Sequence, residues 1–173
     1  MWIILLAIPF ILFGLVAFVG APYVPSHRKY VREAFAKLYK LSDKDLVVDL
    51  GSGDGVVMRV AREFDAKCVG YELNLLLVFI SKVLARGDKG QKVVVGDMWT
   101  AKLPEDVTLF YAFSVSRDVN KLMNRVQRYA DTSERTVKLM TYGPVLKLKK
   151  PSRTQGAHSL YVFAPKTLQS RQA

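Results

Sequence analysis

Three carboxylates in this chain stand where apolar strands stop, each beside residues that leave room for a ligand. Asp49 lies in the run Leu46-Val-Val-Asp-Leu50, which passes into Gly51, Ser52, Gly53, Asp54 and Gly55. Glu72 closes Lys67-Cys-Val-Gly-Tyr-Glu72, and Asp97 closes Lys92-Val-Val-Val-Gly-Asp97 ahead of Met98 and Trp99. Glycines permit a tight turn and let a ligand approach the backbone. A carboxylate can accept hydrogen bonds from a pair of hydroxyls, or meet a cationic group. The chemistry these residues suit is the binding of a nucleoside that carries positive charge.

The elements that must position them follow from the flanking pattern. A short run rich in β-branched residues reads as a buried strand. After the glycines, Val56, Val57, Val60, Ala61 and Phe64 recur at roughly helical spacing. Strand, glycine turn and helix form the nucleotide-binding corner of a doubly wound α/β sheet. The dinucleotide fingerprint G-x-G-x-x-G fails here, because its third glycine falls on Val56. Asp49 and Asp54 would repel a pyrophosphate and suit a cationic amino-acid end. Glu72, at the end of the second strand, is placed to accept both ribose hydroxyls. These features predict S-adenosylmethionine as the cofactor in preference to NAD. Asp97 could accept from an adenine amino group while Met98 and Trp99 sandwich the ring; alternatively it caps a helix beside a core tryptophan.

Elsewhere the pattern is that of a single α/β domain. Ala21-Pro-Tyr-Val-Pro-Ser26 is a stiff linker, and Ser26 could cap a helix whose apolar face is Tyr30, Val31, Ala34, Phe35 and Leu38. Asn74 is expected to cap a helix reaching about Ala85, which is apolar all round from Leu75 to Ile80 and so either deeply buried or facing a membrane. Val107 to Phe113 reads as a fourth strand, whose carboxyl end makes Tyr111, Phe113 and Ser114 candidates for an acceptor pocket, or simply core. A helix follows with Val119, Leu122, Met123, Val126 and Tyr129 on its apolar face, then a fifth strand from Arg135 to Tyr142. Two late strands are expected at Gly143 to Lys149 and His158 to Ala164, joined by a basic loop from Lys150 to Gly156. The crossover helix before them is missing or reduced. The tail from Lys166 is polar.

Composition sets further bounds. A chain of 173 residues fits one domain. The lone cysteine, Cys68, excludes an internal disulfide, and its apolar strand makes it a buried, inert thiol. His27 and His158 are far apart, so no metal is expected. Trp2 to Val19 is an uncharged stretch of 18 residues. As a helix it would span about 27 Å, close to a bilayer's hydrocarbon thickness. It is read as a single-pass transmembrane anchor over residues 1–20. Arg28, Lys29, Arg32, Lys37 and Lys40 flank it, which places the following domain on the cytoplasmic side or the mitochondrial equivalent. The net charge of +11 suits anionic headgroups, and no nucleic-acid partner is expected because no aromatic platform interleaves the bases.

On these residues the chain resembles class I S-adenosylmethionine-dependent methyltransferases. More narrowly it resembles the small membrane-anchored protein lysine methyltransferases that act on the ATP synthase c-ring protein and the adenine nucleotide translocase. The likeness runs from about Pro22 to Pro165 and rests on Pro22-Tyr-Val-Pro-Ser26, Asp49-Leu-Gly-Ser-Gly-Asp-Gly55, Gly70-Tyr-Glu-Leu-Asn74, Asp97-Met-Trp99 and the Leu109-Phe110 strand. Leu75 and Leu76 stand where the family usually has Pro-Trp, Val56 where it commonly has Arg, and Met98-Trp99-Thr100 where it has Leu-Trp-Lys. The acceptor side is where the match is poorest.

The resemblance implies a doubly wound, mostly parallel sheet of six to seven strands, over residues 42–165, after a linker and amphipathic helix over 21–41. It implies that Asp49, Gly51, Ser52, Gly53, Gly55, Glu72 and Leu73 hold the cofactor, with Asp97, Met98 and Trp99 around adenine. Tyr23, Pro25 and Ser26, with Tyr111, Phe113 and Ser114, would shape the acceptor site. The expected activity is methylation of a lysine side chain on a membrane-associated protein. Alternatives are methylation of a lipid-soluble small molecule such as a quinone or phospholipid, or a non-catalytic scaffold that keeps cofactor affinity.

Overall fold

The computed structural model describes residues 26–113, 116–146 and 149–169, apart from the side chains of Ser116, Leu168 and Gln169. The described residues open with helix α1 (Arg28–Glu33), which widens into a π-helical turn at Ala34–Tyr39. It continues through β1 (Leu46–Leu50), α2 (Val56–Arg62), β2 (Lys67–Glu72), α3 (Leu75–Ala85) and β3 (Gln91–Val95). After a long connection come β4 (Leu109–Phe113), a 3-10 turn, α4 (Val119–Ser133) and β5 (Val137–Tyr142). The short β6 (Arg153–Gln155), β7 (His158–Phe163) and a terminal turn, α5 (Lys166–Gln169), complete it.

The strands form one sheet in the order β3-β2-β1-β4-β5-β7-β6. The first five are parallel; β7 runs antiparallel to both β5 and β6. Parallel strands are covered on both faces, and the continuous apolar runs of β1 and β4 obey that requirement. On one face, α1, the π turn and α2 pack Val31, Phe35, Met58 and Val60 against Val47, Leu109, Tyr111 and Met140. On the other, α4 brings Leu122, Val126 and Ala130 onto Val48, Leu50, Phe110 and Leu139. The chain leaves β1 for β2 on one side and returns to β4 on the other. The crevice therefore opens at the carboxyl ends of β1 and β4, where such sheets bind ligands. Register sets Asp49 between Gly70 and Tyr111, and lines up Phe113, Tyr142 and His158 one strand end further along.

Several expectations are corrected. Among the described residues, no helix is long and apolar enough to cross a membrane. The expected transmembrane helix at Trp2 to Val19 lies outside the described residues, so a fold preceded by a spanning helix, and a single-pass localisation, lack support. The basic flank is partly spent on the protein itself, because Arg28 and Arg32 both grip Glu63, at 2.6 and 2.5 Å. Helix α3, read as either deeply buried or facing a membrane, is not deeply buried: only Val78 and Ser81 are buried. Ser26 does not cap α1; His27 holds that position, without a side-chain cap. The strand expected at Gly143 to Lys149 is not formed over its described residues. Its place in the sheet is taken by β6, inside the stretch read as a loop, where Arg153, Thr154 and Gln155 pair with Leu160, Ser159 and His158. No helix among the described residues stands between β5 and β6.

Candidate functional site

Local backbone rules build the corner. Gly51 and Gly55 have φ of +87° and +80°, in the left-handed region where a side chain is strained. That pair of kinks turns the chain from β1 into α2 within five residues. The turn is pinned to β2, since Gly51 and Ser52 both donate their N–H groups to the Tyr71 carbonyl at 3.0 Å. Close beneath, a Cβ on Gly55 would stand 2.3 Å from the Ser81 hydroxyl, so α3 and the loop fit only without it.

Glu72 clamps the loop to the head of α3. Its Oε2 accepts the Gly53 N–H at 2.9 Å and its Oε1 accepts the Asn74 N–H at 2.8 Å. Asn74 in turn caps α3, accepting Leu76 and Leu77 N–H groups at 3.0 and 3.3 Å. Each Glu72 oxygen keeps a lone pair for a ligand hydroxyl. Asp49 is different: it is buried, and its Oδ2 has no hydrogen-bond partner. Burial, then the charges of Glu72 and Asp54, push its carboxyl up to about 8. Asp54 is spoken for, forming an ion pair with Arg59 at 3.0 Å and capping the Val56 N–H.

Across the crevice, Met98 leans over Gly51, its sulfur 3.7 Å from where a Cβ would project. Asp97 caps its own turn, accepting the Trp99 N–H at 2.9 Å through Oδ1. The bland alternative for Asp97, a capping acid, is thus realised at that oxygen. Trp99 is half-buried, with the Lys121 ammonium 4.4 Å from its ring centroid, a cation–π contact from α4. Leu73 is exposed beside Glu72, and Ser52 is buried against Gly70.

The strand ends expected to face the acceptor carry a row of rings. Tyr111 is buried, with its hydroxyl 3.0 Å from His158 Nε2. Ser26 donates to the same phenol, which tempers the upward push that burial gives its pKa. Tyr142 lies against His158 at 4.9 Å between ring centroids, and Phe113 against Tyr142 at 6.0 Å. Burial pushes the His158 imidazole down to about 4, so it is neutral at ordinary pH. Tyr23, Pro25 and Ser114 lie outside the described residues. Sequence reasoning missed Tyr142 and His158. The rule that selected Phe113, a strand's carboxyl end, would also have selected Tyr142; nothing local marked His158, which depends on β7 running antiparallel. A cleft of about 830 Å3 lies elsewhere, between the 100–106 connection and α4. It contains none of these residues.

No known protein family's sequence profile matches the chain. Its fold is that of the S-adenosylmethionine-dependent methyltransferases. An RNA methyltransferase from Salinibacter ruber, solved with S-adenosyl-L-homocysteine, superposes with a TM-score of 0.71 over 83% of this chain and 95% of that one, at 22% identity. A geranyl diphosphate methyltransferase solved with S-adenosylmethionine gives 0.55 over 72% of this chain and 53% of that one, at 19% identity.

The sequence likeness is narrower than the fold. The chain is 32% identical over 102 residues to a protein-lysine N-methyltransferase of Saccharolobus islandicus, covering 55% of this chain and 63% of that protein. It is 36% identical over 81 residues to the lysine N-methyltransferase of the ATP synthase c-subunit from Xenopus laevis, covering 45% and 35%. The human protein of that name is 29% identical over 119 residues, covering 67% and 50%. The chain thus matches less than two thirds of the length of these relatives.

Proposed function

We propose that this chain is an S-adenosylmethionine-dependent methyltransferase that modifies a lysine side chain of a protein. The observation that carries the reading is Asp49, a buried carboxylate with an unpartnered oxygen at the switch point of the sheet. A protein leaves such a group uncompensated at a cost, and a cationic ligand supplies the missing partner. The residues present fit this cofactor. Asp49 suits its positive amino-acid end, the free lone pairs of Glu72 suit the ribose hydroxyls, and Gly51 leaves backbone open to it. Met98 and Trp99 offer apolar surface for adenine. When bound, S-adenosylmethionine supplies an electrophilic methyl group for direct displacement by a nucleophile.

The chain's own work is alignment and desolvation. Glu72 fixes the loop and the head of α3 in one geometry, so the ligand's position is set before it binds. Tyr111, Phe113, Tyr142 and neutral His158 form a wall without formal charge at the strand ends. An amine held against such a wall loses hydration, which disfavours its ammonium form and frees the lone pair. No dedicated base is required. The relatives' names direct the choice of acceptor to a protein lysine, and the c-ring protein of ATP synthase is the first candidate.

The test is to incubate the full chain with isotopically labelled S-adenosylmethionine, purified c-ring protein and a lipid extract. Peptide mass spectrometry then locates the label. Methyl-lysine in the protein supports the reading. Label in lipid or small molecules alone would overturn the lysine acceptor. Binding of S-adenosylhomocysteine without any transfer would overturn the enzyme and leave a scaffold.

A further inference from the structure

Helix α3 turns its apolar side outward. A helix that covers a sheet ordinarily packs its apolar stripe inward and shows water a polar one. Here Leu75, Leu76, Phe79 and Val83 occupy the solvent-facing arc, each between 54% and 68% exposed. Leu75, Phe79 and Val83 follow one another at successive turns with Leu76 alongside, so they make one ridge. Leu73, also exposed, extends it towards Glu72. Such a contiguous patch marks an interaction surface, which scattered apolar residues do not.

The charges around the ridge say what it meets. Exposed Lys82 and Arg86 lie at its border and its far end, and exposed Lys89 and Lys92 continue beyond it. From Leu73 to Gly87 the chain has no acid. The next acid, Asp88, is held by Arg62 at 2.9 Å. We propose that this ridge rests on an anionic lipid surface from outside, as a peripheral contact with no helix spanning it. The apolar side chains would enter the headgroup boundary and the bases would meet the phosphates. A second copy of the chain is the poorer occupant. From Leu73 to Gly87 a copy would offer bases and no acid, in a molecule that already carries a net charge of +11, so pairing two ridges gains no charge complementarity. The contact would hold the Glu72 corner, at the head of α3, beside the lipid.

A position-specific label tests this on the full chain, and no cofactor or methyl transfer enters the measurement. Phe79→Cys can be labelled selectively with an environment-sensitive fluorophore, because Cys68 is buried and its thiol is pushed up to about 12. Thr154→Cys, exposed at the opposite edge of the sheet, is the control. Vesicles of phosphatidylcholine with phosphatidylglycerol should shift the emission at residue 79 to the blue, reversibly in high salt, and leave residue 154 unchanged. Pure phosphatidylcholine should do neither. The double reversal Lys82→Glu with Arg86→Glu should raise the lipid needed for half-binding about tenfold. No shift at 79, or equal shifts with and without anionic lipid, would overturn the proposal. So would a lipid-independent shift that grows with protein concentration, which is self-association. An emission blue-shifted from the start would mean that another part of the chain covers the ridge, and would also overturn it.

Discussion

Replacing Asp49 by Asn removes the charge and keeps the shape, and its consequence for stability reverses sign with pH. In the folded chain the carboxyl is raised from an ordinary 3.8 to about 8, first by burial and then by the Glu72 and Asp54 charges. A carboxyl with a raised folded pKa favours folding fully below its unfolded value, and that contribution is lost as pH rises towards the folded one. At pH 7 the parent must therefore take up a proton across roughly three units, about 4 kcal/mol at 1.36 kcal/mol per unit. Asn escapes this. It keeps a polar atom where Oδ2 now lacks a partner, which costs about 1–3 kcal/mol at every pH. The variant without ligand should thus be more stable than the parent by about 1–3 kcal/mol at pH 7, by more at pH 8, and no more stable near pH 4. For a chain of this size the gain is about 2–10 °C in melting temperature. Thermal unfolding followed by circular dichroism at pH 4, 6 and 8 gives the difference directly. In the same variant, calorimetry should show S-adenosylhomocysteine binding weakened about ten- to a hundredfold through loss of a charge-assisted contact. A stability difference that is the same at pH 4 and pH 8 would refute the claim that Asp49 is a buried acid awaiting a cation.

Glu72→Gln exchanges an acceptor oxygen for a donor facing a backbone N–H. It should weaken S-adenosylhomocysteine binding by about 1–3 kcal/mol in calorimetry, and unchanged affinity would leave Glu72 as a loop clamp only. His158→Phe removes a buried imidazole whose pKa is lowered to about 4, so the parent loses stability as pH falls from 6.5 towards 4. The variant's stability should be flatter over that window and lower by about 1 kcal/mol above pH 7, where the Tyr111 hydroxyl loses its His158 partner and keeps Ser26; parallel pH profiles would count against this. Gly55→Ala should destabilise by at least about 1–3 kcal/mol in denaturant unfolding, because φ is +80° and the new methyl meets Ser81. Adding Ser81→Gly should recover only the steric part, and full recovery would mean the backbone angle costs nothing.

The backbone of the proposed cofactor corner was legible because its determinants are local. Left-handed backbone favours glycine, so the cluster Gly51, Gly53 and Gly55 announces the tight loop from sequence alone. Asp49 and Glu72 are strand-end carboxylates within or next to the same motif, and Asn74 caps the helix that the pattern placed there. The proposed acceptor wall was only half legible. Tyr111 and Phe113 were chosen from a rule about strand ends, but Tyr142 and His158 meet them through the β5–β7 register. That pairing joins residues 16 positions apart across a turn whose first part was read as a strand.

What the sequence determined by itself, then, is the succession of strands and helices from the glycine turn to β5. Period and backbone preference act over a few residues and need no partner. The tertiary structure alone decided which face each helix buries. An apolar run such as Leu75 to Ile80 reads as either deeply buried or facing a membrane, because hydrophobicity carries no direction. Only the seating of Val78 and Ser81 against the corner turned Leu75, Leu76 and Phe79 outward. It also decided the fate of the charges: Arg28 and Arg32 read as free bases until the fold brought Glu63 between them, 35 and 31 residues along the chain. Asp49 became a high-energy group by the same means, since a carboxylate acquires a raised pKa only when neighbouring strands take its water away.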